Sequence, residues 1–333
     1  MLQLPKERFV LQWHITHLCN LRCSHCYQED YQSHMTRERL FSILDKFDRF
    51  VSANNYIGQI NLTGGEPLLH PDFLPLAEEI RNRGFKLGIL TNGTLITEKT
   101  ARLLEKLQPV FVQISLDGSR KTHDAIRGKH AFKDALRGIK YLKQNQLRVL
   151  VSFTAQKHNY RDFPRLARIC KRYHVDKLWW DRVVTDSDES KKNLALSTNQ
   201  FQWLVEKTGK LSRKGESSKF PSMITCQRAL QFLGHTDSDC SYYCSAGKNL
   251  LAVLADGDVM ACRRLPFIVG NILESDFETI IRSNESLKEL RSFSVPTECR
   301  DCKHLARCKG GSRCVTYAQT GDLFTKDINC YFR

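Results

Sequence analysis

A short apolar run followed by an amphipathic stretch recurs about six times between Phe9 and Val205, and this alternation limits the possible folds more than any other feature of the chain. The runs are Phe9 to His14, Gln59 to Leu62, Lys86 to Leu90, Val110 to Leu116, Arg148 to Thr154 and Lys177 to Val183. Each has the length and composition of a buried strand. The stretches between them carry the helical period. From about Thr36, Leu40, Phe41, Ile43, Leu44, Phe47 and Val51 share one face, and Phe132, Leu136 and Ile139 share one between Ala131 and Gln144. Helices are also expected over 71–83 with Gly84 as the stop, from a Thr97 cap to Leu107, over 162–173, and after Ser197. Residues 184–198 and 207–222 are rich in Ser, Lys and Asp and read as loops or a bridge. Alternating β and α units predict a parallel sheet with outer helices and right-handed crossovers.

The unusual residues fall where such strands end. Cys19-Asn20-Leu21-Arg22-Cys23-Ser24-His25-Cys26-Tyr27 follows the first strand in a long loop, with C-x3-C-x2-C spacing. Gly64-Gly65-Glu66-Pro67 follows the second, Thr91-Asn92-Gly93 the third and Asp117-Gly118 the fourth. In parallel barrels and open α/β sheets this is the ligand-binding edge. Three thiolates can hold a four-iron cluster with one iron open. Paired glycines admit close backbone approach, and a carboxylate suits an ammonium.

Composition sharpens this. Thirteen cysteines, an odd number grouped at short spacings, point to cluster ligation rather than a disulfide framework. No run of ~18 apolar residues predicts a membrane span, and Met1 to Arg8 lacks the apolar core of a signal peptide. A reducing cytoplasm is the expected location. The formal net charge is +15, of which residues 120–175 hold fifteen Lys/Arg against Asp124, Asp134 and Asp162. That stretch reads either as a solvated face of outer helices or as a surface attracting an acidic partner.

The cysteine spacing with its flanks, followed by Gly64 to Pro67, resembles the signature of the radical S-adenosylmethionine (SAM) superfamily. The resemblance implies an α/β chain with a partial (β/α)6 barrel over 1–205, a bridging region over 206–239 and a cysteine-rich domain over 240–333. It implies Cys19, Cys23 and Cys26 as ligands of a [4Fe–4S] cluster whose open iron takes SAM, with His25 near the adenine. Gly64, Gly65, Glu66 and Pro67 match the motif that contacts the SAM amino group. Ser115 and Asp117 match ribose-binding positions, and Arg127 resembles the arginine that pairs with the SAM carboxylate. A surface role competes for Arg127, which lies in the basic stretch. Asn92 and Asn159 are further expected pocket residues. The implied chemistry is reductive cleavage of SAM to a 5′-deoxyadenosyl radical that takes a hydrogen from an unreactive carbon.

From Cys240 onward come eight of the cysteines. Cys244-x12-Gly257-x4-Cys262, then Cys299-x2-Cys302-x5-Cys308-x5-Cys314 and finally Cys330, resemble the SPASM extension of radical SAM enzymes, which binds two auxiliary [4Fe–4S] clusters. The resemblance assigns Cys244, Cys262 and Cys314 to the first, with Cys240 as candidate fourth ligand, and Cys299, Cys302, Cys308 and Cys330 to the second. One departure stands out: five residues, Lys309 to Arg313, separate Cys308 from Cys314 where relatives have three, which leaves Cys314 open as a ligand. Taken alone, Cys299 to Cys314 could also form a zinc ribbon. Cys170 reads as a buried inert thiol. Cys226, in the bridge, is either structural or a hydrogen donor to a substrate radical, as a thiol is in peptide epimerases.

SPASM proteins mostly modify peptides or proteins, so the resemblance implies a maturase that cross-links or otherwise modifies a ribosomally made peptide. Competing expectations are a sulfatase-type formylglycine-generating maturase, an RNA-modifying radical enzyme, and a non-enzymatic iron–sulfur electron carrier. The last leaves Gly64 to Pro67 unexplained, and eight C-terminal cysteines are a poor way to build a phosphate groove. Expected partners are a precursor peptide or protein and a reductant such as flavodoxin or ferredoxin. Since the barrel begins by Phe9, recognition of the substrate is expected to fall to the bridge, the C-terminal domain, the basic face at 120–175 or a separate leader-binding partner. Neither a membrane nor nucleic acid is an expected partner.

Overall fold

A computed structural model of the chain describes residues 7–28, 30–185, 193–216, 223–226, 228–234, 242, 244–292 and 294–332. Strands β1 (Arg8–His14), β2 (Ile57–Thr63), β3 (Lys86–Thr91), β4 (Phe111–Ser115), β5 (Val149–Ala155) and β6 (Lys177–Arg182) pair in chain order, all parallel. The free edge of β1 takes β7 (Leu250–Val253) in parallel, and β8 (Asp258–Met260) and β9 (Ile268–Asn271) follow antiparallel. The result is one nine-stranded sheet, ordered β6-β5-β4-β3-β2-β1-β7-β8-β9. The cysteine-rich segment thus continues the barrel sheet and satisfies the backbone groups that β1 would otherwise leave unpaired.

The crossover helices are α1 (Arg37–Ala53), α2 (Phe73–Asn82), α3 (Glu98–Lys106), α4 (Arg120–Arg127), α5 (Ala131–Gln144) and α6 (Phe163–Arg172). The Thr36 and Thr97 hydroxyls accept the backbone N–H groups of Arg39 and Thr100 and so start α1 and α3. Helix α4 was not legible in the sequence: of its eight residues only His123, Ile126 and Arg127 are buried, too few to show a period. Helix α7 (Thr198–Glu216) corrects the reading of 207–216 as loop. Gly209, which looks like a breaker, allows close packing, since a Cβ there would stand 1.9 Å from the Gly234 carbonyl oxygen.

The two faces of the sheet differ. Phe9, Leu11 and Trp13 of β1 are buried toward the helices, with the Phe9 ring 4.9 Å from that of Phe50 on α1. Alternate residues face the concave side. There Gln12, Gln113, Ser115, Ser152, Thr154, Trp179 and Asp181 stay only half-buried, while their neighbours along the strands are buried. The concave side is therefore a polar, solvent-reaching lumen rather than a packed core. Lys133, Lys140 and Arg168 are exposed on α5 and α6, outside the sheet. No helix among the described residues is long and apolar enough to cross a membrane.

Candidate active site

The loop after β1 carries the three cysteines, and its backbone is the platform on which the glycine motif docks. The Gly65 and Glu66 N–H groups donate to the Thr16 and Leu18 carbonyls at 2.8 and 2.7 Å. A Cβ on Gly65 would stand 2.3 Å from the Leu18 oxygen, and one on Gly64 2.4 Å from the Thr16 oxygen. Both contacts are to backbone, which cannot swing away. Gly65→Ala is expected to push the two loops apart at a cost of roughly 1–3 kcal/mol, seen as a lowered unfolding midpoint and reduced iron uptake by the N-terminal site. Wild-type stability in that variant would show that the docking is unimportant.

Glu66 is wholly buried. Its carboxylate accepts from the Thr91 hydroxyl at 2.7 Å, the Asn92 N–H at 2.8 Å and the Leu68 N–H at 3.3 Å. Asn92 Nδ2 donates to Asn20 Oδ1 at 2.9 Å, and Asn20 Nδ2 to the Thr94 hydroxyl at 2.8 Å. Three strand-end motifs are thereby locked together, and Asn20 is a residue that sequence reasoning missed. Burial raises the Glu66 carboxyl to about 7, against the three donors that favour its charge. The folded chain then holds this proton more tightly than the unfolded one between pH 4.5 and about 7. In SAM-free protein its contribution, roughly 3 kcal/mol, is present below that window and lost as pH rises through it. Glu66→Gln is expected to remove this pH dependence in urea unfolding at pH 5 and 8. It should also cost about 1–3 kcal/mol, because the amide nitrogen must face an N–H donor. An unchanged pH profile would overturn the assignment.

On the other side of the loop, Asp117 is wholly buried at the end of β4. Its carboxylate accepts from Arg127 Nε at 2.6 Å and from the Thr154 N–H at 2.9 Å, and His25 Nε2 lies 3.8 Å away. Burial alone would raise this carboxyl, but Arg127, His25 and His123 hold it below the ordinary range. Arg127 is buried, not on the surface, and its Nη1 lies 3.8 Å from Cys23 Sγ. Burial lowers His25 and His123 to about 4, so both rings are neutral at pH 7. Asn159 spends its side chain on the Gln156 N–H and the Thr154 and Asp117 carbonyls, so it acts by shaping the loop around Asp117. Ser115 is half-buried and faces the lumen. His14, unremarked in the sequence, is buried beside Gly64, whose backbone hydrogen bond favours its protonated form, yet burial takes it to about 3.

Burial raises the Cys19 and Cys23 thiols, Cys19 to about 11. Iron ligation needs thiolates, and the Arg127 guanidinium beside Cys23 favours that form. The His25 Nδ1 is also buried without a partner. A clustered thiol donor set with a cation and a free ring nitrogen beside it fits an anionic sulfur-rich group.

The C-terminal cysteines form two groups in space. Burial takes Cys262 to about 11, with Cys314 and Cys244 near enough to add to the rise. Cys299, Cys302, Cys308 and Cys330 line one cavity together with Phe232, Phe332 and His304, whose Nε2 is buried without a partner. That inventory also fits a cluster accepting an N–H hydrogen bond. Among the described residues no three His, Cys, Asp or Glu side chains stand close enough together to hold a single metal ion. The extra residues before Cys314 form a left-handed turn, with φ of 51° at Lys309, 83° at Gly310 and 95° at Gly311, that wraps Asp327. Cys240 lies outside the described residues. Cys170 is buried under α6, and Cys226 is buried beside the segment that bridges Ile224 to Leu178 of β6. Tyr27 joins the two halves: Arg263, next to Cys262, lies 4.0 Å over its ring and donates to its carbonyl at 3.3 Å.

Residues 13–170 match the family model of the radical SAM superfamily, and residues 244–303 match that of an iron–sulfur cluster-binding domain, SPASM. The chain belongs to the radical SAM superfamily and carries a SPASM domain. It is therefore an enzyme whose cofactors are a [4Fe–4S] cluster, SAM and auxiliary iron–sulfur clusters. It is 29% identical to the Fe-coproporphyrin III synthase of Methanosarcina barkeri, over 99% of this chain and 90% of that protein. It is 27% identical to the mycofactocin maturase MftC of Mycolicibacterium smegmatis, over 96% and 82%. It shares the fold of SuiB from Streptococcus suis bound to SAM, with TM-score 0.77 at 17% identity over 98% of this chain and 78% of SuiB. SuiB has also been solved bound to its precursor peptide SuiA.

Proposed function

We propose that this enzyme abstracts a hydrogen atom from a ribosomally made peptide and leaves a cross-link or another modification at an unactivated carbon. The observation that carries the proposal is the lumen. Its polar side chains stay half-exposed, and β6 ends the sheet on one side. A polar lumen that reaches solvent suits an extended, polar substrate better than a small closed apolar pocket does. The maturase relative and the peptide-bound protein of the same fold support the reading.

When bound, the cluster and SAM supply the 5′-deoxyadenosyl radical. We assign Cys19, Cys23 and Cys26 to hold that cluster, and the backbone at Gly64 to Pro67, with Glu66 behind it, to meet the SAM ammonium. Arg127 and Asp117 orient the carboxylate and ribose ends, Ser115 and Asn92 border the pocket, and neutral His25 packs near the adenine. Cys244, Cys262 and Cys314, with Cys240, and separately Cys299, Cys302, Cys308 and Cys330, are the proposed auxiliary ligand sets. Cys226 remains a candidate hydrogen donor. Residues 1–205, 206–239 and 240–333 are the proposed domains. A reducing cytoplasm with a flavodoxin or ferredoxin as reductant suits this chemistry.

A second reading, a tetrapyrrole substrate, is favoured by the Fe-coproporphyrin III synthase relative. Anaerobic co-expression with candidate short peptides, followed by mass spectrometry, tests both. Loss of two hydrogens indicates a cross-link, and one deuterium gained from heavy water indicates epimerisation. Unmodified peptides alongside conversion of iron coproporphyrin III would replace the first reading by the second.

A further inference from the structure

The end of β6 presents a cationic site in the lumen. Trp179 and Asp181 lie on the concave face, whereas Leu178, Trp180 and Arg182 are buried on the other. Two guanidiniums meet the single Asp181 carboxylate. Arg264, two residues after Cys262, is ion-paired with Asp181 and donates through Nη2 to the Arg182 carbonyl at 2.8 Å. Its fork is thus engaged by protein acceptors. Arg228, from the bridge, lies with its guanidinium carbon 4.5 Å over the Trp179 ring, and its Nε only approaches Asp181 Oδ2, at 3.8 Å. Its side chain is 45% exposed, and no hydrogen bond is made by its two terminal nitrogens among the described residues. Of the two guanidiniums, that of Arg228 keeps its terminal nitrogens unengaged, on a planar fork held by stacking and facing the solvent-reaching lumen.

We propose that Arg228, held on Trp179 and steered by Asp181, docks a carboxylate of the substrate. A planar two-donor fork matches a carboxylate in charge and shape, and preorganisation on the indole lowers the ordering cost. Such a group is supplied by an acidic side chain or C-terminus of a peptide, or by a tetrapyrrole propionate. The inference rests on the lumen being the substrate space, as proposed above, and names the chemistry that anchors substrate there.

Calorimetric titration of the reconstituted holoenzyme with SAM tests it. One probe pair is a pentapeptide with central Asp and Glu, and the same peptide with Asn and Gln. The other is iron coproporphyrin III and its tetramethyl ester. In the wild type at least one acid is expected to bind about tenfold tighter than its neutral counterpart. Arg228→Gln should erase that preference, and Arg228→Lys should restore only part, because it returns charge without the fork. The half-exposed position makes both variants tolerable to the fold, and iron content checks this. A preference that survives Arg228→Gln, or no preference in either pair, overturns the docking site. A preference for the tetrapyrrole acid alone keeps the site and overturns the peptide reading. A preference for the peptide acid alone supports both.

Discussion

Serine at position 23 is expected to abolish reductive SAM cleavage while leaving the C-terminal iron in place. Cys23 is the middle thiol of the loop and the one that Arg127 approaches. A serine hydroxyl there is a poor iron ligand, and two thiolates cannot hold a cluster that needs three. SAM cleavage should fall by at least about a thousandfold, equivalent to about 4 kcal/mol in the barrier. Iron content should drop by about four atoms per chain, because the two C-terminal groups have their own cysteines. Cys170→Ser is the control. That thiol is buried under α6, away from the cysteine groups, so serine should cost about 1 kcal/mol of stability and leave iron and SAM cleavage unchanged. Retention of a tenth of the wild-type cleavage rate by Cys23→Ser would remove Cys23 from the ligand set.

The parallel sheet and its functional edge were legible because hydrophobic period and strand-end punctuation are local signals. The helix beginning near Thr36, the Thr97 cap and the position of Cys19 to Cys26 all follow from residues close in sequence. What was not legible depends on contacts between distant segments. Gly64 and Gly65 look like a ligand-facing pair, but each is also required by the backbone of the cysteine loop. Arg127 could have been a surface residue of the basic stretch; only the fold shows it buried on Asp117. Gly209 lies in the stretch that reads as loop, and its actual constraint is the backbone of Gly234, 25 residues along the chain. Nor does any local signal announce that β7 pairs with β1, since edge pairing at that distance is set by the whole barrel. The two charged residues at the end of β6 fall in the same class. Asp181 and Arg182 point to opposite faces, and each reaches a different C-terminal segment, through Arg264 and Asp327 respectively.

The second of these contacts yields the largest expected stability effect. Arg182 and Asp327 form a two-pronged pair, Nη1 to Oδ1 at 2.6 Å and Nη2 to Oδ2 at 2.7 Å, with both side chains buried. Arg182 also donates to Asn329 Oδ1 at 2.8 Å and lies 4.6 Å over the Phe201 ring. Asp327 Oδ2 takes the Ser312 N–H at 2.7 Å as well, fixing the turn between Cys308 and Cys314, and Cys330 follows three residues later. Asp327→Ala therefore strands a buried guanidinium and loosens both ends of the C-terminal cysteine framework. The expected cost is about 3–5 kcal/mol, since removing one partner of a buried pair leaves the other charge uncompensated. Limited proteolysis of the reconstituted protein should cut first near the C-terminal segment, and C-terminal iron should fall. Cleavage of SAM should decline less than in Cys23→Ser, because the N-terminal loop has its own supports. Replacing both partners, as Arg182→Met with Asp327→Leu, is expected to recover much of the protease resistance, because no unpaired charge remains. It should not recover the iron, because the Ser312 N–H still lacks its acceptor. If the double variant is as fragile as Asp327→Ala, the carboxylate's grip on the Gly310–Ser312 turn, and not the ion pair, is what holds this end of the chain.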